Sequence, residues 1–312
     1  MSMAYGFSEY GGPETQQFFD VPVPSPGPGQ LLVAVHAAGV NPADWKVRAG
    51  TRKDTVPVTL PAVLGREVAG VVADVGPRVT GFAVGDAVFG ATATGFGGYT
   101  EYTLVNTASA AHKPEPVSFA DAATLPVAAG TAYDALTTLD LAPGSRLLVV
   151  GAGGGVGVAA LQLAAAWDVT VIGVASESKR EVVESLGATW VASGDGLAAR
   201  IPGPVDAVFD LVGGDALAEA ARVVADPAAI LSTGDPLAAR DLGGSGVERR
   251  RTSAVFAELA ALVADGTLDP RVAHRFPFAH AGDALAMVES GHTSGKVVIE
   301  FGEQVWLSPV PR

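Results

Sequence analysis

Along the first hundred residues, apolar positions come in short runs separated by glycine, proline and asparagine. Leu31 to Val40 alternates and is mostly apolar, and Val63 to Val75 is a longer Val/Ala run interrupted by Gly65 and Gly70. Val84 to Phe89 and Tyr99 to Val105 follow, each bounded by turn residues. Such runs predict strands. The Pro-rich stretch Val21 to Pro28 predicts an irregular lead-in, because proline fixes φ and removes a backbone donor. Short strands with glycine corners predict a small barrel-like β domain.

The pattern changes near residue 119. Phe119 to Leu139 is rich in Ala, Leu and Thr and predicts two helical pieces around Gly130. Arg146 to Val150 then predicts a buried strand, followed by a glycine cluster and a helix from about Val156 to Trp167. Val169 to Val174, Val205 to Leu211 and Ala229 to Thr233 predict further strands, with a helix over Lys179 to Leu186. Strands apolar throughout and alternating with helices predict a parallel sheet covered on both faces. After about residue 253 the chain predicts one amphipathic helix, Val255 to Ala264, and a last strand, Lys296 to Phe301. Gly302 to Arg312 has no periodicity and is expected to be a loose tail.

Composition changes this picture in three ways. A chain of 312 residues exceeds what one ordinary core supports, so two domains are expected. The absence of cysteine rules out disulfides, thiolate chemistry and every thiolate zinc site. A net charge of −13 repels nucleic acid and anionic lipid, so any anionic ligand needs a local basic cluster. No apolar stretch reaches membrane-spanning length and no signal pattern opens the chain. A cytoplasmic location, with neither nucleic acid nor membrane as partner, is therefore the expectation.

The strongest chemical signal is Leu147-Leu148-Val149-Val150-Gly151-Ala152-Gly153-Gly154-Gly155-Val156-Gly157. It follows a predicted strand and opens a predicted helix, which is the context in which a glycine loop signifies a dinucleotide site. Ala152, Gly153, Gly154, Gly155, Val156 and Gly157 are the candidate diphosphate cradle, backed by the helix N-terminus. A plain strand-to-helix turn is the alternative. An NAD site carries Asp or Glu at the end of the second strand. Here that strand ends Gly173-Val174-Ala175-Ser176, and Ser176, Lys179 and Arg180 lie where they can receive a 2′-phosphate. The missing carboxylate and the added cations together favour NADPH, although Glu177 and Glu181 argue against it unless they point outward.

Ala37-Ala38-Gly39-Val40-Asn41-Pro42-Ala43-Asp44 and Leu64-Gly65-Arg66-Glu67-Val68-Ala69-Gly70 resemble two signatures of the medium-chain dehydrogenase/reductase superfamily. Gly97-Gly98-Tyr99, Val205 to Asp210 and Ser294-Gly295-Lys296-Val297-Val298 fit the same superfamily, over about residues 4 to 301. In the zinc alcohol dehydrogenases the equivalent positions hold the catalytic metal. Here Asn41 stands for the first ligand, Arg66 for the histidine and Val127 for the third, and the structural zinc lobe is missing. The chain thus resembles the zinc-free quinone oxidoreductase (zeta-crystallin-like) branch.

The resemblance implies an α/β architecture in which a Rossmann doubly wound parallel sheet is inserted into a GroES-like β-barrel domain. Residues 1–120 and 253–312 would form the GroES-like substrate domain and residues 121–252 the Rossmann domain, with nicotinamide in the cleft between them. It also implies that Asn41 and Thr131 border the nicotinamide. A turn before Pro42 explains Asn41 without any ligand. Ser232, Thr233 and Gly234, at a strand's carboxyl end, would approach the cofactor from the far side; a plain strand-ending turn is the alternative. Family members often pair as homodimers along the sixth Rossmann strand. The segment Gly246 to Thr252 is short and basic, which weakens that expectation.

Without a Lewis acid, a site suits acceptors whose developing charge is delocalised. The expected substrates are quinones or α,β-unsaturated carbonyls reduced by NADPH. The alternatives are an enoyl-thioester reductase, for which Arg249 to Arg251 would offer cations, and a non-catalytic NADPH-binding protein. The five histidines show no paired spacing, and no metal is expected.

Overall fold

The computed structural model describes residues 1–302 apart from Arg52, Thr55 and His292. The expected tail lies outside the described residues from 303 onward, as does His292. The chain divides into two compact units, Met1–Val127 with Arg251–Ala264 and Val272–Arg312, and Ala128–Arg250 with Asp265–Arg271.

The first unit is built on β1 (Ser2–Phe7), β2 (Gln16–Val21), β3 (Gln30–Val40), β4 (Ala62–Val63), β5 (Glu67–Val75), β6 (Ala87–Thr92) and β7 (Tyr102–His112). β2, β1 and β4 make a three-stranded sheet. β3 pairs with both β5 and β7, so the run β3-β5-β6-β7 closes on itself as a barrel. Register shifts in β3 at Leu32/Val33 and Val35/Ala37 supply the bends that closure requires. Being paired on both sides, β3 is buried along nearly its whole length, which is why its sequence is apolar on both faces. Leu31, Val33, Val35, Val68, Val72 and Val88 fill the barrel with almost no exposure. His36 departs from that apolar run and stacks on Phe119, with ring centroids 4.2 Å apart.

The second unit contains β8 (Arg146–Val150), β9 (Thr170–Ala175), β10 (Thr189–Ala192), β11 (Ala207–Asp210), β12 (Ile230–Ser232) and β13 (Ser245–Gly246). Its sheet is parallel throughout, in the order β10-β9-β8-β11-β12-β13. The chain winds outward from β8 in one direction, then returns to β11 and winds outward in the other. That reversal places a crevice at the carboxyl ends of β8 and β11, where doubly wound sheets bind ligands. Leu147, Leu148, Val149, Val208 and Phe209 are fully buried, as strands covered on both faces must be. The chain then returns to the first unit with β14 (Val272–Pro277) and β15 (Lys296–Glu300), which lie parallel to each other and extend the barrel sheet beside β3.

Several elements depart from the sequence pattern. β1, β2, β10 and β14 are absent from it. β14 is exposed at most positions, and β10 is short with a mixed pattern, so hydrophobicity alone does not mark either. The run Val63 to Val75 is cut at Gly65, whose φ of 92° breaks the strand. Val84 lies before β6, because Gly85 (φ 96°) turns the chain there. Between Phe119 and Leu139 lie a short helix (Phe119–Ala122), a π-helical turn (Leu125–Ala129) and a helix beginning at Gly130.

Candidate active site

In the second unit, Gly151 leaves β8 with φ 90°, a conformation only glycine takes without strain. The N–H groups of Gly151 and Ala152 both donate to Val174 O at 3.0 Å, tying the loop to the end of β9. The helix Gly155–Ala166 begins beyond N-cap Gly154. A Cβ on Gly157 would lie 2.5 Å from Gly151 O, so this tight loop excludes any side chain there. The first-turn N–H groups of this helix lack intrahelical acceptors and carry the positive end of the dipole. The cradle therefore fits a dinucleotide diphosphate.

Lys179 packs its aliphatic stem on this loop, since a Cβ on Gly153 would lie 2.6 Å from Lys179 Cδ. Burial pushes the Lys179 ammonium below its ordinary value. Ser176 stands at the N-cap position of the turn Glu177–Lys179, and its hydroxyl pairs with that of Ser178 at 3.0 Å, a residue the sequence reading did not single out. Arg180 is turned elsewhere. Its guanidinium binds Glu184 at 3.0 Å, approaches Glu177 at 3.7 Å and lies over the Trp190 ring. Glu177 and Glu181 are exposed.

The loop after β12 adjoins the loop after β11. Ser232 Oγ donates to Asp210 Oδ2 at 2.5 Å, and Asp210 Oδ1 accepts the N–H groups of Val212 and Gly213 at 3.0 Å. Thr233 N–H donates to Asp210 O, and a Cβ on Gly234 would meet Val212 C at 2.5 Å. Gly151 itself faces Leu211 and Val212. Ser232, Thr233, Gly234 and the glycine loop are thus gathered at one end of the sheet. Asp210, fully buried, is the organising residue that the sequence reading missed. Its signal was a carboxylate ending an otherwise apolar strand. Thr131 is buried in the first turn of the helix Gly130–Leu139. In the same helix, Asp134 accepts the Arg250 N–H at 2.7 Å, which pins the backbone of the basic run Arg249 to Arg251.

In the first unit, the residues aligned with zinc positions meet in a dense buried network. Asn41 Nδ2 donates to Glu67 Oε1 at 2.8 Å, while Asn41 Oδ1 accepts from Lys296 Nζ at 2.7 Å. Lys296 Nζ also bonds Glu67 Oε1 at 3.0 Å, and Glu67 Oε2 accepts the Val127 N–H at 2.7 Å. Asp44 Oδ2 accepts from the Asn41 N–H and from the Tyr99 hydroxyl, both at 2.9 Å. Arg66 stands 3.8 Å from Asp44 Oδ1 and stacks on Phe96. All six polar side chains are almost wholly buried. Burial pushes the Asp44 carboxyl up to about 6 against the opposing pull of Arg66, and burial beside Asp44 drives the Tyr99 phenol well above its ordinary value.

Glu67 and Lys296 stand inside family motifs with nothing in the motif to single either out. Their signal was a charge at the first position of an apolar strand. The donor set does not fit zinc, because Val127 offers no side-chain ligand, Arg66 is itself a cation, and Asn41 is held by a carboxylate and an ammonium. Among the described residues, no group of three or more His, Cys, Asp or Glu side chains is arranged to hold a metal ion. Likewise, no helix is long and apolar enough to cross a membrane.

A barrel unit joined to a doubly wound sheet with a glycine loop at its switch point defines a class of two-unit nucleotide-binding proteins. Residues 27–115 match the alcohol dehydrogenase GroES-like domain and residues 179–299 the zinc-binding dehydrogenase family. The chain is 33% identical to the NADPH-dependent alkenal/one oxidoreductase of Arabidopsis thaliana, over 95% of this chain and 78% of that protein. The solved quinone oxidoreductase from Coxiella burnetii superposes with TM-score 0.88 at 30% identity, covering 96% of this chain and 99% of that one. A pikromycin polyketide synthase component of Streptomyces venezuelae is 35% identical over 88% of this chain, which spans only 8% of that protein. The chain belongs to the medium-chain dehydrogenase/reductase superfamily of nicotinamide-dependent oxidoreductases, in its quinone oxidoreductase branch.

Proposed function

We propose that the protein is an NADPH-dependent reductase that passes hydride to a quinone or an α,β-unsaturated carbonyl acceptor without zinc. The observation that carries this reading is the donor chemistry around Asn41. The three positions that hold zinc in the zinc alcohol dehydrogenases carry an engaged amide, a guanidinium and an alkyl group. Such a site offers hydrogen bonds and fixed charge rather than a Lewis acid, which suits an acceptor that spreads its developing charge.

NADPH, when bound, supplies the hydride. Ala152 to Gly157 would hold its diphosphate and Ser176 and Lys179 its 2′-phosphate, with Arg180 a lesser contributor because three groups already engage it. Asn41 and Thr131 would border the nicotinamide, and Ser232, Thr233 and Gly234 would close the cofactor site from the loop after β12. In this reading residues 1–120 and 253–312 are the substrate domain and residues 121–252 the cofactor domain. The partner is a small molecule and the setting cytoplasmic. A homodimer joined at the sheet edge would have only the two residues of β13 to pair.

Similarity to the polyketide synthase component supports a second reading, reduction of an enoyl thioester. NADPH oxidation against a quinone, an enone, an enoyl thioester and a simple ketone, with NADH in parallel, tests both. Preferential turnover of a conjugated acceptor with NADPH is expected, and the acceptor that turns over fastest identifies the substrate class. Turnover of the simple ketone alone, or with NADH alone, overturns the proposal. Tight NADPH binding with no turnover supports a non-catalytic role.

A further inference from the structure

We infer that Lys296 and Glu67 are positioning residues that decide which way round the Asn41 amide sits, so that Asn41 meets its ligand with its carbonyl oxygen. This rests on the proposed reductase reading for the identity of that ligand, but its geometry stands apart from it.

An asparagine amide has two ends of similar shape and opposite hydrogen-bonding character. Lys296 Nζ, 2.7 Å from Asn41 Oδ1, can only donate. The carboxylate of Glu67, 2.8 Å from Asn41 Nδ2, can only accept. Reversing the amide would set its NH2 against the ammonium and its oxygen against the carboxylate, which makes two repulsive contacts in a buried place. The ion pair itself, 3.0 Å long with side chains 5% and 0% exposed, removes the freedom to adjust.

Glu67 is braced in turn by the Val127 N–H at 2.7 Å, and Lys296 by Val40 O at 3.4 Å. The second Nδ2 proton of Asn41 points at Gly39 O, 3.5 Å away. The amide hydrogens are therefore directed into the protein. The carbonyl oxygen accepts from Lys296 and faces the N–H of Asp44 in the capping box that opens the helix Pro42–Arg48.

With its NH2 committed to Glu67 and Gly39, Asn41 has only this oxygen to offer a ligand, as an acceptor for an N–H or O–H such as a primary carboxamide on the cofactor or a hydroxyl formed on the reduced acceptor. It does not donate to an oxyanion. A buried pair of this kind is a poor source of stability, since apolar residues of equal volume fill the space as well. They would not orient an amide.

The chain contains two asparagines, Asn41 and Asn106, so selective 15N-asparagine labelling yields two side-chain NH2 signals, assigned with Asn41→Leu. In the wild-type protein the Asn41 protons should exchange with solvent on the order of 100-fold more slowly than an exposed amide. Exchange at the exposed rate overturns the inference, whether or not the protein reduces anything.

The paired variant Glu67→Gln/Lys296→Met removes both charges without stranding either. It should keep its Tm within a few degrees, shift the Asn41 signal and lose at least tenfold in kcat. KM for NADPH and for the acceptor should stay within about twofold. A folded paired variant with wild-type kcat overturns the positioning role. A wild-type chain that binds NADPH but reduces no acceptor defeats the proposed function instead, and the exchange measurement still tests whether the Asn41 amide hydrogens are held inside the protein.

Discussion

The stem of Lys179 lies across Gly153, close enough that a Cβ on that glycine would stand 2.6 Å from Lys179 Cδ. The lysine that follows the second Rossmann strand is thereby carried onto the glycine loop itself. Its neighbour Arg180 is drawn off to Glu184, Glu177 and Trp190. Two adjacent cations, equivalent in the sequence, thus have different prospects. Lys179→Ala is expected to weaken NADPH binding about tenfold or more while leaving NADH within about twofold. Arg180→Ala should cost NADPH much less. Fluorescence titration of both dinucleotides checks this, and equal losses for the two cofactors would remove the 2′-phosphate assignment.

Gly157→Ala should abolish binding of NADPH and NADH alike. The added Cβ would sit 2.5 Å from the Gly151 oxygen, so the loop must open before the side chain fits. Thermal unfolding of the apo variant separates this local opening from global loss. A variant that binds either cofactor normally would contradict the tight-cradle geometry.

Ser232→Ala should destabilise the protein by about 1–3 kcal/mol, because it strips a buried carboxylate of its 2.5 Å hydroxyl donor. Urea unfolding measures this. Cofactor affinity is expected to fall as well, since Asp210 also holds the loop at Val212 and Gly213. An unchanged midpoint and affinity would show that the pair organises nothing.

Asp44 and His36 pull the pH dependence of stability in opposite directions. The folded-state value of Asp44 is raised from 3.8 to about 6 by burial. Its contribution is therefore fully present below about 3.8 and is lost as pH rises through about 6. His36 is lowered by burial from 6.5 to about 4, so its contribution is present above 6.5 and is lost as pH falls through about 4. Relative to wild type, Asp44→Asn should gain Tm between about pH 4 and pH 6 and then level off. His36→Phe should gain relative Tm as pH falls from about 6.5 to about 4. Flat differences in these windows would refute the burial argument for either residue.

Metal analysis should find no stoichiometric zinc, and chelators should leave NADPH oxidation intact. Loss of activity on chelation, restored by zinc, would overturn the reading of Asn41, Arg66 and Val127.

Much of the architecture was legible in the chain because it rests on local rules. The parallel strands β8, β9, β11 and β12 show as apolar runs, since burial on both faces leaves polar residues only at their ends. The glycine loop shows because its turn and close approach admit no side chain. β10 and β14 did not show. β10 is only four residues long and β14 lies mostly exposed, so neither carries a usable hydrophobic pattern.

Residue identity by itself determined the missing zinc ligands, the missing acidic residue at Ala175 and the glycine loop after β8, because each is a matter of which atoms a position can offer. Tertiary structure alone decided that Lys179 and not Arg180 turns to the loop, and that Asp210 ties the loop after β11 to the loop after β12. It also decided that Glu67 and Lys296, 229 positions apart, meet around Asn41. Hydrogen bonds and ion pairs act over a few ångströms, and only the folded chain brings such distant residues within that range.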